Sequence, residues 1–146
     1  MSDIQIRYAK KEDLKTIQTL LRQLGYETEQ SNIAPFVATL DPNQHDVFVG
    51  VSEGSVIALM SLIYFNYFPS GEKYCRITAI VVNEGLRGSG IGKRLIEHAK
   101  KEAKSKKCSA LELTTSFRRE NTQAFYEHIG FEKTSYKYVQ KLITNV

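Results

Sequence analysis

Ile77-Thr78-Ala79-Ile80-Val81-Val82 is a β-branched apolar run that stops at Asn83-Glu84-Gly85 and gives way to a glycine-rich turn, Leu86-Arg87-Gly88-Ser89-Gly90-Ile91-Gly92. Lys93-Arg94-Leu95-Ile96-Glu97-His98-Ala99 follows with helical spacing, so the stretch reads as strand, glycine loop, helix. Glycines let a backbone turn tightly and approach a ligand, while the free N–H groups and positive end of a new helix attract an anion. With Arg87 and Lys93 adding charge, the expected guest is a phosphate or pyrophosphate.

Spacing separates the phosphate-binding patterns. A Walker loop needs a glycine five residues before its Gly-Lys pair and Ser or Thr after it. Counting back from Gly92-Lys93 reaches Arg87, and Arg94 follows. The dinucleotide fingerprint Gly-x-Gly-x-x-Gly fails as well, because Gly88-x-Gly90 leads to Lys93 and Gly90-x-Gly92 to Leu95.

What remains, Arg87-x-x-Gly90-x-Gly92, resembles the acyl-CoA loop of the GCN5-related N-acetyltransferase (GNAT) superfamily. Downstream, Asn121-Thr122-Gln123-Ala124-Phe125-Tyr126-Glu127-His128-Ile129-Gly130-Phe131 resembles the family's second motif, a short helix carrying Phe-Tyr and ending in Gly-Phe. The resemblance covers nearly the whole chain. It implies an acetyl-CoA dependent N-acetyltransferase with no metal, in which an amine attacks the thioester directly in a ternary complex. It also implies that the backbone of Ile80, Val81 and Val82 takes the pantetheine arm as an added pseudo-strand. Arg87, Gly88, Ser89, Gly90, Ile91, Gly92 and Lys93 would hold the pyrophosphate, Asn121 would touch the cofactor or cap its helix, and Tyr126 would protonate the departing thiolate. A strand amide, that of Val81 or Val82, would polarise the thioester carbonyl. The alternative of another class is a non-catalytic CoA-binding module, regulatory or partner-binding, that keeps the cofactor site without transfer.

The order of elements agrees with that family. Ile4–Tyr8 alternates as a strand, and Leu14, Ile17, Leu20, Leu21 and Leu24 make an amphipathic helix over Lys11–Leu24. A second helix is expected from Ser31-Asn32 to about Leu40. Strands at Asp46–Val51 and Val56–Phe65 flank a Ser52-Glu53-Gly54-Ser55 turn, and the central strand runs from about Lys73 to Val82. A helix from Gly90 to about Lys104, a strand at Ala110–Thr114 and the Tyr126 helix follow. Phe131–Lys133 and Tyr136–Leu142 are expected to close the sheet. The fold class is α/β (α+β): a mixed, mostly antiparallel sheet of about seven strands flanked by about four helices.

At 146 residues, one domain over 1–146 is expected. No apolar run reaches a membrane span, and Met1-Ser2-Asp3-Ile4 lacks signal-peptide character, so a cytoplasmic protein without a membrane partner is expected. The net charge of +4 suits an anionic cofactor, and no basic stripe with interleaved aromatics argues for nucleic acid. Cys75 and Cys108 have neither metal spacing nor a cationic partner, which disfavours zinc, a disulfide framework and an acetyl-cysteine route. His45, His98 and His128 pair with no nucleophile motif.

The general base is open. Tyr74, Arg76 and Thr78 take site-facing positions by alternation, and Glu72, Glu84 and Glu112 are the nearby carboxylates, beside a water chain from bulk solvent. Tyr64, Phe65, Tyr67 and Phe68 cluster where the family's acceptor site lies, as pocket lining, core or dimer contact. The acceptor is expected to be a small-molecule amine or a protein or peptide amine, and a homodimer is common in the family.

Overall fold

Five strands form one mixed sheet in the order β1-β2-β3-β4-β5: β1 (Gln5–Tyr8), β2 (His45–Ser52), β3 (Ser55–Tyr67), β4 (Glu72–Val82) and β5 (Ala110–Leu113). The first three pairings are antiparallel and β4 with β5 is parallel. Four helices accompany them: α1 (Leu14–Leu24), α2 (Gln30–Ala38), α3 (Ile91–Ser105) and α4 (Glu120–His128). The computed structural model describes residues 3–38, 44–116 and 120–143. It comprises two units, Met1–Leu113, which holds the sheet with α1 to α3, and Thr114–Val146, which holds α4.

The two closing strands expected at Phe131–Lys133 and Tyr136–Leu142 are not formed, and among the described residues five strands stand in place of about seven. Alternation states which face a strand would bury, but a strand also needs a neighbour to complete its ladder. Tyr136, Tyr138, Val139 and Leu142 are exposed instead. The second helix starts at Gln30, before the expected Ser31-Asn32 cap, and the end expected near Leu40 lies outside the described residues.

In the first unit, α1 buries Leu14, Ile17 and Leu20. Ile17 and Leu20 join Ala9, Val47, Val49, Leu59 and Val81 in one core cluster, against which Ile33 and Val37 of α2 also pack. Helices α1 and α2 therefore cover one face of the sheet. Helix α3 covers the opposite face through the fully buried Leu95, Ile96 and Ala99, and its His98 ring meets Phe48 edge-on at 4.6 Å.

The β1–α1 corner is pinned by a buried carboxylate. Asp13 accepts from Arg7 Nη1 and Nη2 at 2.8 and 3.0 Å and from the Lys10 amide at 2.7 Å. The Arg7 hydrogen bonds, helped by the Lys10 amide and opposed by burial, hold its carboxyl below the usual aspartate value of 3.8. A depressed folded pKa stabilises above the unfolded value and is lost as the pH falls through the folded one. Asp13→Asn is therefore expected to cost about 2 kcal/mol at neutral pH, with the gap to wild type closing as urea melts are carried into acid below the ordinary aspartate range. A gap that stays constant with pH would contradict this.

Candidate active site

Strand β5 accompanies β4 only over Tyr74–Ile77, whereas β4 continues to Val82. Among the described residues no strand lies on that side from Thr78 to Val82, so the two strands part and leave an open backbone edge. The parting coincides with a β-bulge. Ser61 partners Ala79 and Leu62 partners Ile77, which leaves Thr78 as the extra residue of β4. Thr78 Oγ1 and Ser61 Oγ lie 2.6 Å apart, holding the bulge through a hydroxyl pair.

A bulge shifts the alternation of the backbone by one residue. Below it, Lys73 turns its carbonyl toward β5 and accepts from Ser109 N at 2.8 Å. Above it, the Asn83 amide donates to Ile57 O at 2.8 Å, toward β3. Counting by twos from Asn83 turns the polar groups of Val81 toward β3 and those of Ile80 and Val82 toward the open edge. The Arg87 guanidinium agrees, since its Nε donates to Val82 O at 3.3 Å. The Val81 side chain is meanwhile part of the core.

The edge leads into the glycine loop. A 3-10 turn over Glu84–Leu86 is capped by Asn83, whose side chain accepts from Gly85 N at 3.3 Å. Ser89 Oγ donates to Leu86 O. Gly88 and Gly90 both have φ of +84°, and Gly90 is the left-handed residue immediately before α3. A Cβ at either would meet nothing within 4 Å, so the space over these backbones is open to a ligand. The loop is tied to α1 across 61 residues of sequence by Glu84 N donating to Gln23 Oε1 at 2.9 Å.

Ile91 is buried under the loop, so only its backbone is available to a ligand, while Arg87, Gly88, Ser89, Gly90 and Lys93 are exposed and Gly92 is half-buried. The Lys93 side chain lines a cavity of about 440 Å³ between α3 and β1, together with Ile6, Arg94, Glu97, His98 and Lys101. β1 and β5 are opposite edges of the sheet, so that cavity is on the far flank of α3 from the open edge of β4.

In the second unit, Tyr126 lies on α4 with its ring 5.5 Å from Phe125 and 5.7 Å from Phe131. Phe125, its neighbour in the Phe-Tyr pair, is 38% exposed. Asn121 is the second residue of α4 and is exposed.

Tyr74 and Arg76 share the face that α1 covers farther along, as expected from alternation, and Thr78 joins them through the bulge. Arg76 donates from Nε and Nη2 to Glu112 Oε2 at 3.3 and 3.2 Å. Tyr64 departs from the aromatic cluster. It points to the α3 face, donates to Asp46 at 2.7 Å, and burial raises its pKa. Burial pushes the Cys75 thiol up to about 12, which leaves it a poor nucleophile at neutral pH. Burial also lowers the His98 pKa, and its ring sits against Phe48 rather than at the open edge.

Two features of the site had only faint sequence signals. Ser61 and Thr78, small hydroxylic residues inside apolar strands, mark the bulge in retrospect. The Gln23 tie has no local signature at all.

An open strand edge that runs into a glycine loop and a helix N-terminus presents backbone groups that an extended chain could pair with and N–H groups that suit an anion. The acetyltransferase (GNAT) family profile matches residues 8–131, and this chain belongs to that family. It is 36% identical over 83 residues to a tRNA(Met) cytidine acetyltransferase of Aeropyrum pernix, an alignment covering 56% of this chain but 11% of that protein. An acetyltransferase of Trypanosoma brucei superposes with a TM-score of 0.79 at 26% identity, over 96% of this chain and 100% of the other. A glucosamine-6-phosphate N-acetyltransferase of Arabidopsis thaliana gives 0.80 at 24%, over 97% and 100%. A transcriptional regulator of Bacillus halodurans gives 0.83 at 24%, over 97% and 100%. These last two likenesses speak to fold. No described helix is long and apolar enough to cross a membrane.

Proposed function

We propose that this chain transfers an acetyl group from acetyl-CoA to a primary amine by direct attack within a ternary complex. The observation that carries the reading is the open edge of β4 ending in the glycine loop. The amides of Gly88 to Lys93, with Arg87, hold the pyrophosphate at the start of α3, and Asn121 is kept as a cofactor contact. The pantetheine arm runs back along β4 from the loop, pairing with the outward-facing groups of Ile80 and Val82. The thioester end then falls at the lower end of the open edge, near the bulge. That assigns the carbonyl-polarising N–H to Ile80, with Val82 serving the arm and Val81 contributing packing.

The amine nitrogen attacks the carbonyl carbon, the C–S bond breaks, and the thiolate takes a proton from Tyr126, assigned by its place in the Phe-Tyr motif. The acceptor's own proton leaves to a nearby carboxylate or to water. Turnover is tested by thiol release from acetyl-CoA across a panel of amines, with the melting temperature followed alongside. Tyr126→Phe is expected to lower kcat about a hundredfold while the acetyl-CoA shift in melting temperature stays as in wild type. Unchanged kcat would remove Tyr126 as the acid, and no shift in the wild-type protein would remove the cofactor assignment.

A further inference from the structure

Where β4 and β5 part, the two faces of the sheet differ. The α3 face is filled by helix side chains. The other face, past the reach of α1, presents Thr78, Arg76 and Tyr74 from β4, Phe65 and Tyr67 from β3, and Glu112 from β5. Within the first unit an amine therefore reaches a thioester on the open edge of β4 from this second face. The inference that follows rests on the transfer reading above.

The chemistry of this face is specific. Tyr67 and Tyr74 stack in parallel, with centroids 4.8 Å apart and planes 11° apart, and Phe65 meets Tyr74 edge-on at 6.0 Å. Tyr67 is 40% exposed, so the stack forms an accessible apolar platform. Glu72 partners Tyr67 across the ladder and Glu112 partners Arg76, so this face carries two carboxylates and one guanidinium. That guanidinium is engaged twice, by Glu112 Oε2 and by the Phe65 ring 4.7 Å beneath it. The carboxylates outnumber the guanidinium on this face, and the guanidinium is already paired with Glu112, so the patch favours a cation over an anion. Both Arg76 donors go to a single oxygen of Glu112, and that carboxylate stands one residue from the point where the strands part.

We propose that the acceptor is an arylalkylamine, a primary amine joined by a short chain to an aromatic ring, with the ring on the Tyr67–Tyr74 platform and the ammonium directed at Glu112. Ring-on-ring packing supplies affinity that a plain alkyl chain lacks. An amino acid would bring its carboxylate against Glu72 and Glu112. A polyamine would leave the platform unused.

The test is NMR titration of 2-phenylethylamine, butylamine, spermidine and tyrosine into wild type, Tyr74→Leu and Tyr74→Phe in the presence of CoA, with acetyl-CoA thermal shifts on the same samples. Phenylethylamine is expected to bind wild type about tenfold more tightly than butylamine and ahead of the other two. Tyr74→Leu should collapse that preference to about twofold, and Tyr74→Phe should keep it. Equal affinity for the two monoamines, tighter binding of spermidine or tyrosine, or a preference untouched in Tyr74→Leu would each overturn the proposal. The arylalkylamine preference without an acetyl-CoA shift would instead uphold this surface and sink the transfer reading.

Discussion

Replacing Gly90 with valine is expected to lower acetyl-CoA affinity about a thousandfold and leave the protein folded. Gly90 takes φ of +84° just before α3, a conformation that costs a β-branched residue about 1–2 kcal/mol. The backbone escapes that strain by rotating, which turns the first amides of α3 away from the loop. Losing two charge-assisted hydrogen bonds at about 2 kcal/mol each accounts for the thousandfold figure. The new side chain also fills space where nothing now lies within 4 Å. Because that space is open, the core is not disturbed and the melting temperature should fall by only a few degrees. Calorimetric titration of the variant is the check. Undiminished affinity would place the phosphates elsewhere.

The largest stability loss is expected at Lys106→Met. Asp46 is fully enclosed, and its Oδ2 takes the Tyr64 hydroxyl at 2.7 Å and Lys106 Nζ at 3.3 Å. Lys106 reaches it from just past the end of α3, lies 4.7 Å from the Tyr64 ring centroid, and also pairs with Glu102 at 3.1 Å. Burial pulls the Lys106 pKa down, but Glu102 and Asp46 outweigh it and the ammonium is held charged. Without Lys106 the Asp46 carboxylate is a buried charge with one neutral donor. Removing one partner of such a pair costs about 3–5 kcal/mol, a drop of about 10 °C in melting temperature for a chain of this size. Asp46→Asn combined with Lys106→Met should recover most of the loss, because the charge and its partner leave together. A double variant no better than the single one would show that Lys106 acts through packing alone.

The junction at the centre of the fold was readable because its physics is local. β-branched residues favour a strand, glycines permit left-handed backbone, and the apolar spacing after Ile91 marks a helix, all within twenty residues or so. The spacing of Arg87, Gly90 and Gly92 excludes the Walker and dinucleotide patterns, and the downstream Phe125-Tyr126 and Gly130-Phe131 complete the family resemblance. What escaped reading depends on partners distant in sequence. Which amides of β4 face outward turns on a bulge set by the pairing with β3, and a single extra residue at Thr78 exchanges Val81 for Ile80 and Val82. Tyr64 stands among aromatic neighbours in the sequence, yet its side chain goes with Asp46 on the other face. The Arg76–Glu112 pair is a cross-strand contact between residues 36 apart. The segments at Phe131–Lys133 and Tyr136–Leu142 have strand-like alternation, but pattern alone does not provide a neighbouring edge.

The measurement that bears most directly on the account follows backbone amide signals of the whole chain as acetyl-CoA is added. The account predicts that the largest shifts fall on Ile80, Val82 and Gly88 through Lys93, with Val81, whose amide faces β3, moving little. Shifts concentrated instead on Ile6, Glu97 and Lys101 along the far flank of α3, or no shifts at saturating acetyl-CoA, would contradict it.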